Sequence, residues 1–139
     1  MYPDAEIPEA KKKKILLIDD EVFFLQIAKS ILEKAGKYEV LTLINTRDLE
    51  KRVSEFSPDI ILLDIAMPDA EGIEACSFLK SDPLLKDIPL VMLSAMSRDK
   101  DKEKAFHAGA DDFIAKPVKR EDLINKIEEV LQRKKNSRK

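Results

Sequence analysis

The sequence has one cysteine, one histidine and no uninterrupted apolar run longer than four residues. A lone Cys76 rules out an internal disulfide framework and any zinc site built from cysteines. His107 has no second histidine and no evident carboxylate partner, so it reads as a solvated surface residue. Runs such as Ile60-Ile61-Leu62-Leu63 fall far short of the ~20 apolar residues that cross a bilayer. The first ten residues carry three acids and two prolines, unlike a secretory leader. From these absences the chain is expected in the cytoplasm, without a membrane partner.

What is present describes one folded domain. The 139 residues are 44% hydrophobic and 37% charged, enough for a single real core and too apolar for a disordered chain. The net charge of −2 hides a division. Lys11 to Lys14 and the stretch Arg133 to Lys139 supply nine of the 25 basic residues, and the first ten residues supply three of the 27 acids. Residues 15–131 therefore carry 16 basic and 24 acidic side chains, a net of −8. So acidic a body is a poor surface for nucleic acid, whose phosphates need clustered cations, and no direct nucleic-acid binding is expected. It suits a cation site.

Short apolar blocks alternate with segments of helical period. The blocks are Ile15–Ile18, an alternating Tyr38–Leu43, Ile60–Leu63, Leu90–Leu93 and Phe113–Ala115. Runs of this length read as strands buried on both faces, as in a parallel sheet. Between them, Phe24, Ala28, Ile31 and Ala35 share a helix face, as do Leu49, Val53 and Phe56. Ile73, Cys76 and Leu79 mark a third helix, and Leu123, Ile127 and Val130 a last one. Lys100, Lys102 and Lys104 alternate with Asp99, Asp101 and Glu103, giving a fourth helix charged along its outer side. Gly36, Ser57-Pro58 and Asp82-Pro83 supply helix stops. Five strands alternating with five helices, joined by right-handed crossovers, give an α/β fold with an open parallel sheet covered on both faces. Such sheets carry their functional groups at the carboxyl ends of the strands.

Those ends are acidic. The first strand runs into Asp19-Asp20-Glu21, and the third ends in Asp64. Central strands about 5 Å apart bring their end carboxylates together, and three close carboxylates repel unless a cation sits among them. Hard oxygen donors suit Mg²⁺ or Mn²⁺. Any one of these acids could serve only to cap a following helix, but three at adjacent strand ends are better explained by a cation. Ser94 ends the fourth strand and Lys116 follows the fifth. An ammonium, a hydroxyl and a metal together can hold the three oxygens of a phosphoryl group on Asp64.

At this point the residues resemble the receiver domain of two-component response regulators. The pieces are Ile15-Leu-Leu-Ile-Asp-Asp-Glu21, Pro58-Asp-Ile-Ile-Leu-Leu-Asp64, Met67-Pro68 with Gly72, Val91-Met-Leu-Ser-Ala95, and Gly109-Ala-Asp-Asp-Phe-Ile-Ala-Lys-Pro117. Each is weak alone; all five in order are specific. The resemblance covers 14–131, leaving 1–13 as a flexible extension and 132–139 as a basic tail or the start of a linker. It implies a five-stranded, flavodoxin-like parallel sheet of order 2-1-3-4-5. Asp64 would be the phospho-acceptor, with Mg²⁺ held directly by Asp20, Asp64 and the backbone carbonyl of Ala66, and by Asp19 through water. Lys116 would contact the phosphoryl group. Ser94 would hydrogen-bond to it, and Phe113 would then turn inward. Phe113 stands where many members carry tyrosine, and Ser94 replaces the commoner threonine. The donor would be a sensor histidine kinase or a phosphotransfer protein. The output would pass to a downstream protein or output domain through the fourth helix, fifth strand and fifth helix. A cis bond between Lys116 and Pro117 is implied as well. The chain would be a signalling switch, with self-phosphorylation and autodephosphorylation as its only chemistry.

Two other classes fit less well. A metal-dependent phosphatase with an aspartyl nucleophile usually places a second acid two residues after the first and carries a cap segment; here Asp20 follows Asp19 directly. A flavin-binding protein of the same topology needs a phosphate loop after the first strand, and Asp-Asp-Glu there would repel a phosphate. Cys76 is expected to pack in the core and Phe78 to be exposed.

Overall fold

In the computed structural model, which describes residues 11–68, 71–95 and 99–137, five strands alternate with five helices. They are β1 (Lys13–Ile18), α1 (Val22–Lys34), β2 (Tyr38–Leu43), α2 (Leu49–Phe56), β3 (Ile60–Asp64) and α3 (Glu71–Ser81). There follow β4 (Leu90–Ser94), α4 (Asp99–His107), β5 (Asp112–Ala115) and α5 (Arg120–Ser137). All strand pairs are parallel and the order is β2-β1-β3-β4-β5, as expected.

Side chains on a strand alternate between faces, so each apolar block feeds two cores. Leu16, Ile18, Ile61, Leu63 and Met92 pack with Leu49, Val53, Cys76, Leu79 and Ala105 of α2, α3 and α4. Ile15, Leu17, Ile60, Leu62 and Val91 pack with Leu25, Ala28, Leu32, Leu123 and Ile127 of α1 and α5. Burial on both faces explains why these strands read as unbroken apolar runs. The helix stops act where expected. Gly36 takes φ +82 after α1, and Ser57 takes φ +54 before Pro58 blocks any continuation of α2.

Several details differ from the sequence pattern. The fully buried stripe of α1 is Leu25, Ala28 and Leu32, while Phe24, Ile31 and Ala35 lie half-buried on its flank. Asp101, expected on the solvated side of α4, is buried, because it shares the inward stripe of that helix with Ala105. α5 runs on as helix through Gln132 to Ser137, past the Leu131 boundary drawn for the domain. Residues 1–10, within the expected N-terminal extension, lie outside the described residues. Cys76 is buried as expected and its thiol is pushed up to about 11, chiefly by burial. Among the described residues, no helix is long and apolar enough to cross a membrane.

Candidate phosphoryl-acceptor site

Strand order converts scattered residues into a row. β1 lies beside β3 with Ile18 opposite Leu63, so Asp19 and Asp64 end neighbouring strands. β3 lies beside β4 with Asp64 opposite Leu93, and β4 beside β5 with Ser94 opposite Ala115, one residue before Lys116. Asp19, Asp64, Ser94 and Lys116 therefore share one rim of the sheet. The Lys116–Pro117 bond that follows is cis. A recess of about 860 Å³ opens at the opposite end, beside Lys13, Pro58 and Pro89, and takes no part in this arrangement.

The rim is tightly organised. Asp19 is 0% exposed; its Oδ1 accepts the Glu21 N–H at 2.8 Å and its Oδ2 accepts from Lys116 Nζ at 2.5 Å. The same ammonium donates to Glu21 Oε1 at 2.9 Å and lies 3.9 Å from Asp64 Oδ2. Lys116 is held in that place with only 7% of its side chain exposed. Asp64 Oδ1 accepts the Ala66 N–H at 2.9 Å, which leaves Oδ2 as the oxygen turned toward the ammonium. Asp20 is exposed, yet carboxylate oxygens of Asp19, Asp20 and Asp64 come within 4.8 Å of one another. Ser94 is fully buried at the end of β4.

Electrostatics follow from this geometry. Burial pushes the Asp64 carboxyl from its usual 3.8 up to about 6; the Asp19 charge adds to the rise, while the Ala66 N–H and Lys116 oppose it. For Lys116, burial is the largest single influence and acts downward, but the hydrogen bonds to Asp19 and Glu21 together with the charges of Asp64 and Asp19 raise its pKa. A carboxylate disfavoured by burial and by a charged neighbour, in a set of hard oxygen donors, fits a divalent cation. The residues present thus match the chemistry of Mg²⁺.

Gly72 sets the position of the carboxyl end of β3. A Cβ built on it would stand 2.1 Å from the backbone carbonyl oxygen of Asp64 and 3.1 Å from the Ile65 Cα. The first turn of α3 can lie against the end of β3 only without a side chain here. Gly72→Ala is expected to destabilise the chain by on the order of 1–3 kcal/mol and to displace Asp64, because rigid backbone must yield. Urea unfolding would show it; an unchanged midpoint would mean that α3 moves aside freely.

The model of the response regulator receiver domain family matches residues 15–128. The chain belongs to that family. The receiver is 39% identical over 121 residues to the phosphate regulon transcriptional regulatory protein PhoB of Pseudomonas aeruginosa, covering 87% of this chain and 52% of that protein. It is 33% identical over 121 residues to the alkaline phosphatase synthesis transcriptional regulatory protein PhoP of Bacillus subtilis, covering 87% and 49%. The receiver thus spans about half the length of these curated relatives. Among solved structures it resembles a response regulator receiver domain protein of Methanospirillum hungatei, with a TM-score of 0.81 and 30% identity, covering 91% of this chain and 98% of that one. A putative response regulator from Chloroflexus aurantiacus gives 0.82 and 28%, covering 88% and 99%.

Of the residues singled out in the sequence, the receiver brings Asp19, Asp20, Asp64 and Lys116 together and ends β4 at Ser94. Ala66 is exposed in the loop after β3. Phe113 is 9% exposed, in one core layer with Met92 and Ala105. Phenylalanine has no hydroxyl to keep in water, so burial costs it nothing polar. His107 and Phe78 are exposed, as expected. Sequence reasoning missed two partners of Lys116: Glu21, which reads only as a neighbour of Asp19 and Asp20, and Phe24, which reads as packing. No spacing signal links either to position 116, because the contact crosses from β1–α1 to β5–α5. Met96, two residues after Ser94, lies outside the described residues.

Proposed function

We propose that this receiver accepts a phosphoryl group on Asp64, in a reaction requiring a divalent cation, and passes the resulting change to a partner. The donor is the phosphohistidine of a sensor histidine kinase or a phosphotransfer protein. The observation that carries the reading is the meeting of Asp64 with Asp19, Asp20 and Lys116 at one rim. Asp20, Asp64 and the Ala66 carbonyl would hold Mg²⁺ or Mn²⁺ directly, and Asp19 through water. When bound, such an ion would offset part of the negative charge of the carboxylates and of an incoming phosphoryl group.

The chain's own groups supply the rest. Asp64 Oδ2 forms a bond to phosphorus as the P–N bond to the donor imidazole breaks; the imidazole leaves with the electron pair and takes up a proton. Lys116 would meet one phosphoryl oxygen and the Ser94 hydroxyl would donate to another. Loss of the group is hydrolysis: water adds to phosphorus, the P–O bond to Asp64 breaks and inorganic phosphate leaves. The receiver is a switch, with no chemistry beyond these two steps.

Transmission starts at Ser94. Drawn toward the phosphoryl group, it shifts the end of β4. Phe113, packed in the layer shared with Met92 and Ala105, carries the shift beneath α4. The output face is then α4, β5 and α5. Phe106 of α4 is an exposed apolar side chain, and Asp112 of β5 is bridged to Lys126 and Arg133 of α5. Its partner is a downstream protein or output domain. The acidic body speaks against nucleic acid as a direct ligand of this domain.

Incubation with acetyl phosphate, with and without Mg²⁺, followed by intact-mass measurement tests the proposal. A gain of one phosphoryl mass only with Mg²⁺ supports it, and no gain under either condition defeats it.

The lifetime of phospho-Asp64 depends on positioning a water in line with the P–O bond. Ala66 stands two residues after Asp64 and offers no polar side chain to orient that water. One well-placed hydrogen bond is worth about 1 kcal/mol, or roughly fivefold to tenfold in rate. Ala66→Asn is therefore expected to speed loss of the phosphoryl group by about that factor in a time course. An unchanged decay would mean that water positioning does not limit the step.

A further inference from the structure

Phe24 lies half-buried on the flank of α1, and one face of its ring meets a charge. Lys116 Nζ sits 4.3 Å from the ring centroid, well within the reach of attraction between an ammonium and an aromatic face. The same ammonium meets Asp19 Oδ2 at 2.5 Å, Glu21 Oε1 at 2.9 Å and Asp64 Oδ2 at 3.9 Å. Lysine carries its charge on a flexible four-carbon stem, which alone gives no fixed position. Here the ring adds a contact to those the acids supply.

We propose that Phe24 is a positioning residue for Lys116: its ring keeps the ammonium over the Asp19 and Asp64 carboxylates, where it can meet phosphoryl oxygens arriving on Asp64. The inference rests on the acceptor reading above and adds a residue the sequence assigns only to packing. The carboxylates cannot do this alone through the whole reaction. A cation among them would offset part of their charge and weaken their pull on the ammonium, and Glu21, with 60% of its side chain exposed, is screened by water. The quadrupole of the ring is unaffected by that offset. The contact with Phe24 is thus a restraint on Lys116 that does not depend on the charge state of Asp19 and Asp64.

The test compares wild type with Phe24→Leu, which keeps apolar bulk but loses the π face, and with Phe24→Tyr, which keeps it. Each is also made in a Lys116→Met background. Uptake from acetyl phosphate with Mg²⁺ is followed by intact mass, and the Lys116 ε-methylene protons by NMR. Phe24→Leu is expected to slow uptake about fivefold, and Phe24→Tyr to stay within about twofold of wild type. In the Lys116→Met background Phe24→Leu is expected to change nothing further. The ε-protons should show an upfield ring-current shift in wild type and Phe24→Tyr that disappears in Phe24→Leu. The proposal is overturned if Phe24→Leu takes up phosphate at the wild-type rate. It is equally overturned if that substitution slows uptake as much without Lys116, or if the wild-type shift is missing. Failure of the acceptor reading would show differently, as no uptake by wild type itself, and would remove this role with it.

Discussion

Asp64→Asn is expected to abolish phosphoryl uptake while leaving the fold intact and, at neutral pH without metal, more stable. An amide cannot form the acyl phosphate, so no gain of mass should follow incubation with acetyl phosphate and Mg²⁺. The amide oxygen can still accept the Ala66 N–H that now goes to Asp64 Oδ1 at 2.9 Å, so the loop keeps its tie. The stability effect follows from the carboxyl being pushed up to about 6 from 3.8, first by burial and then by the Asp19 charge. A folded-state pKa above the unfolded value means that the folded chain prefers Asp64 protonated. Its contribution is therefore most favourable below about pH 4 and is lost as pH rises through about 6. A tenfold change in proton affinity is worth about 1.4 kcal/mol, so the asparagine variant should gain roughly 1–3 kcal/mol over wild type above pH 6 in chelator. The gap should close near pH 4. Urea midpoints at the two pH values measure it. Uptake of phosphate by the variant at the wild-type level would remove Asp64 from its assigned role, and a gap that widens toward acid would reverse the electrostatic argument.

Lys116→Met is expected to have the second-largest effect, on stability and on uptake together. Asp19 is 0% exposed, and Lys116 provides the charged partner of its Oδ2. Removing one member of a buried pair leaves the other charge uncompensated, at a cost of about 3–5 kcal/mol, a large share of the ~5–15 kcal/mol that holds a small domain together. The cost should fall when Mg²⁺ is added, because a cation among the three carboxylates replaces the lost ammonium. Unfolding with chelator and with excess Mg²⁺ would reveal that difference. Uptake should drop by about two orders of magnitude, the usual effect of losing one charge-stabilising donor from a transfer site. A variant as stable as wild type in chelator, and as fast in uptake, would show that Asp19 and Asp64 need no ammonium from position 116.

The fold was legible because its strands are buried on both faces. Ile15–Ile18, Ile60–Leu63 and Leu90–Leu93 are unbroken apolar runs for that reason, and each is followed by the residue that matters: Asp19, Asp64 and Ser94. The helices were harder to orient. In α1, Phe24 and Leu25 are both apolar, and nothing local says which one enters the core; Leu25 does, and Phe24 goes to the rim. In α4, alternating charges suggested a wholly solvated outer side, yet Asp101 shares the inward stripe with Ala105. Phe113 was legible as part of a buried strand, but the placement of its ring was not, because rotamers depend on neighbours from α4.

By itself the sequence determined the number and kind of elements, the acids at the strand ends and the lysine before Pro117, because these depend on local period and residue chemistry. Only the tertiary structure decided that Asp19, Asp64 and Lys116 share one site. That adjacency comes from the β2-β1-β3-β4-β5 order, which places residues 45 and 97 positions apart in sequence within reach of one another. It likewise decided that Phe24 faces the ammonium, since the roll of α1 on the sheet is fixed by how Leu25, Ala28 and Leu32 fill the core against Ile15 and Leu17.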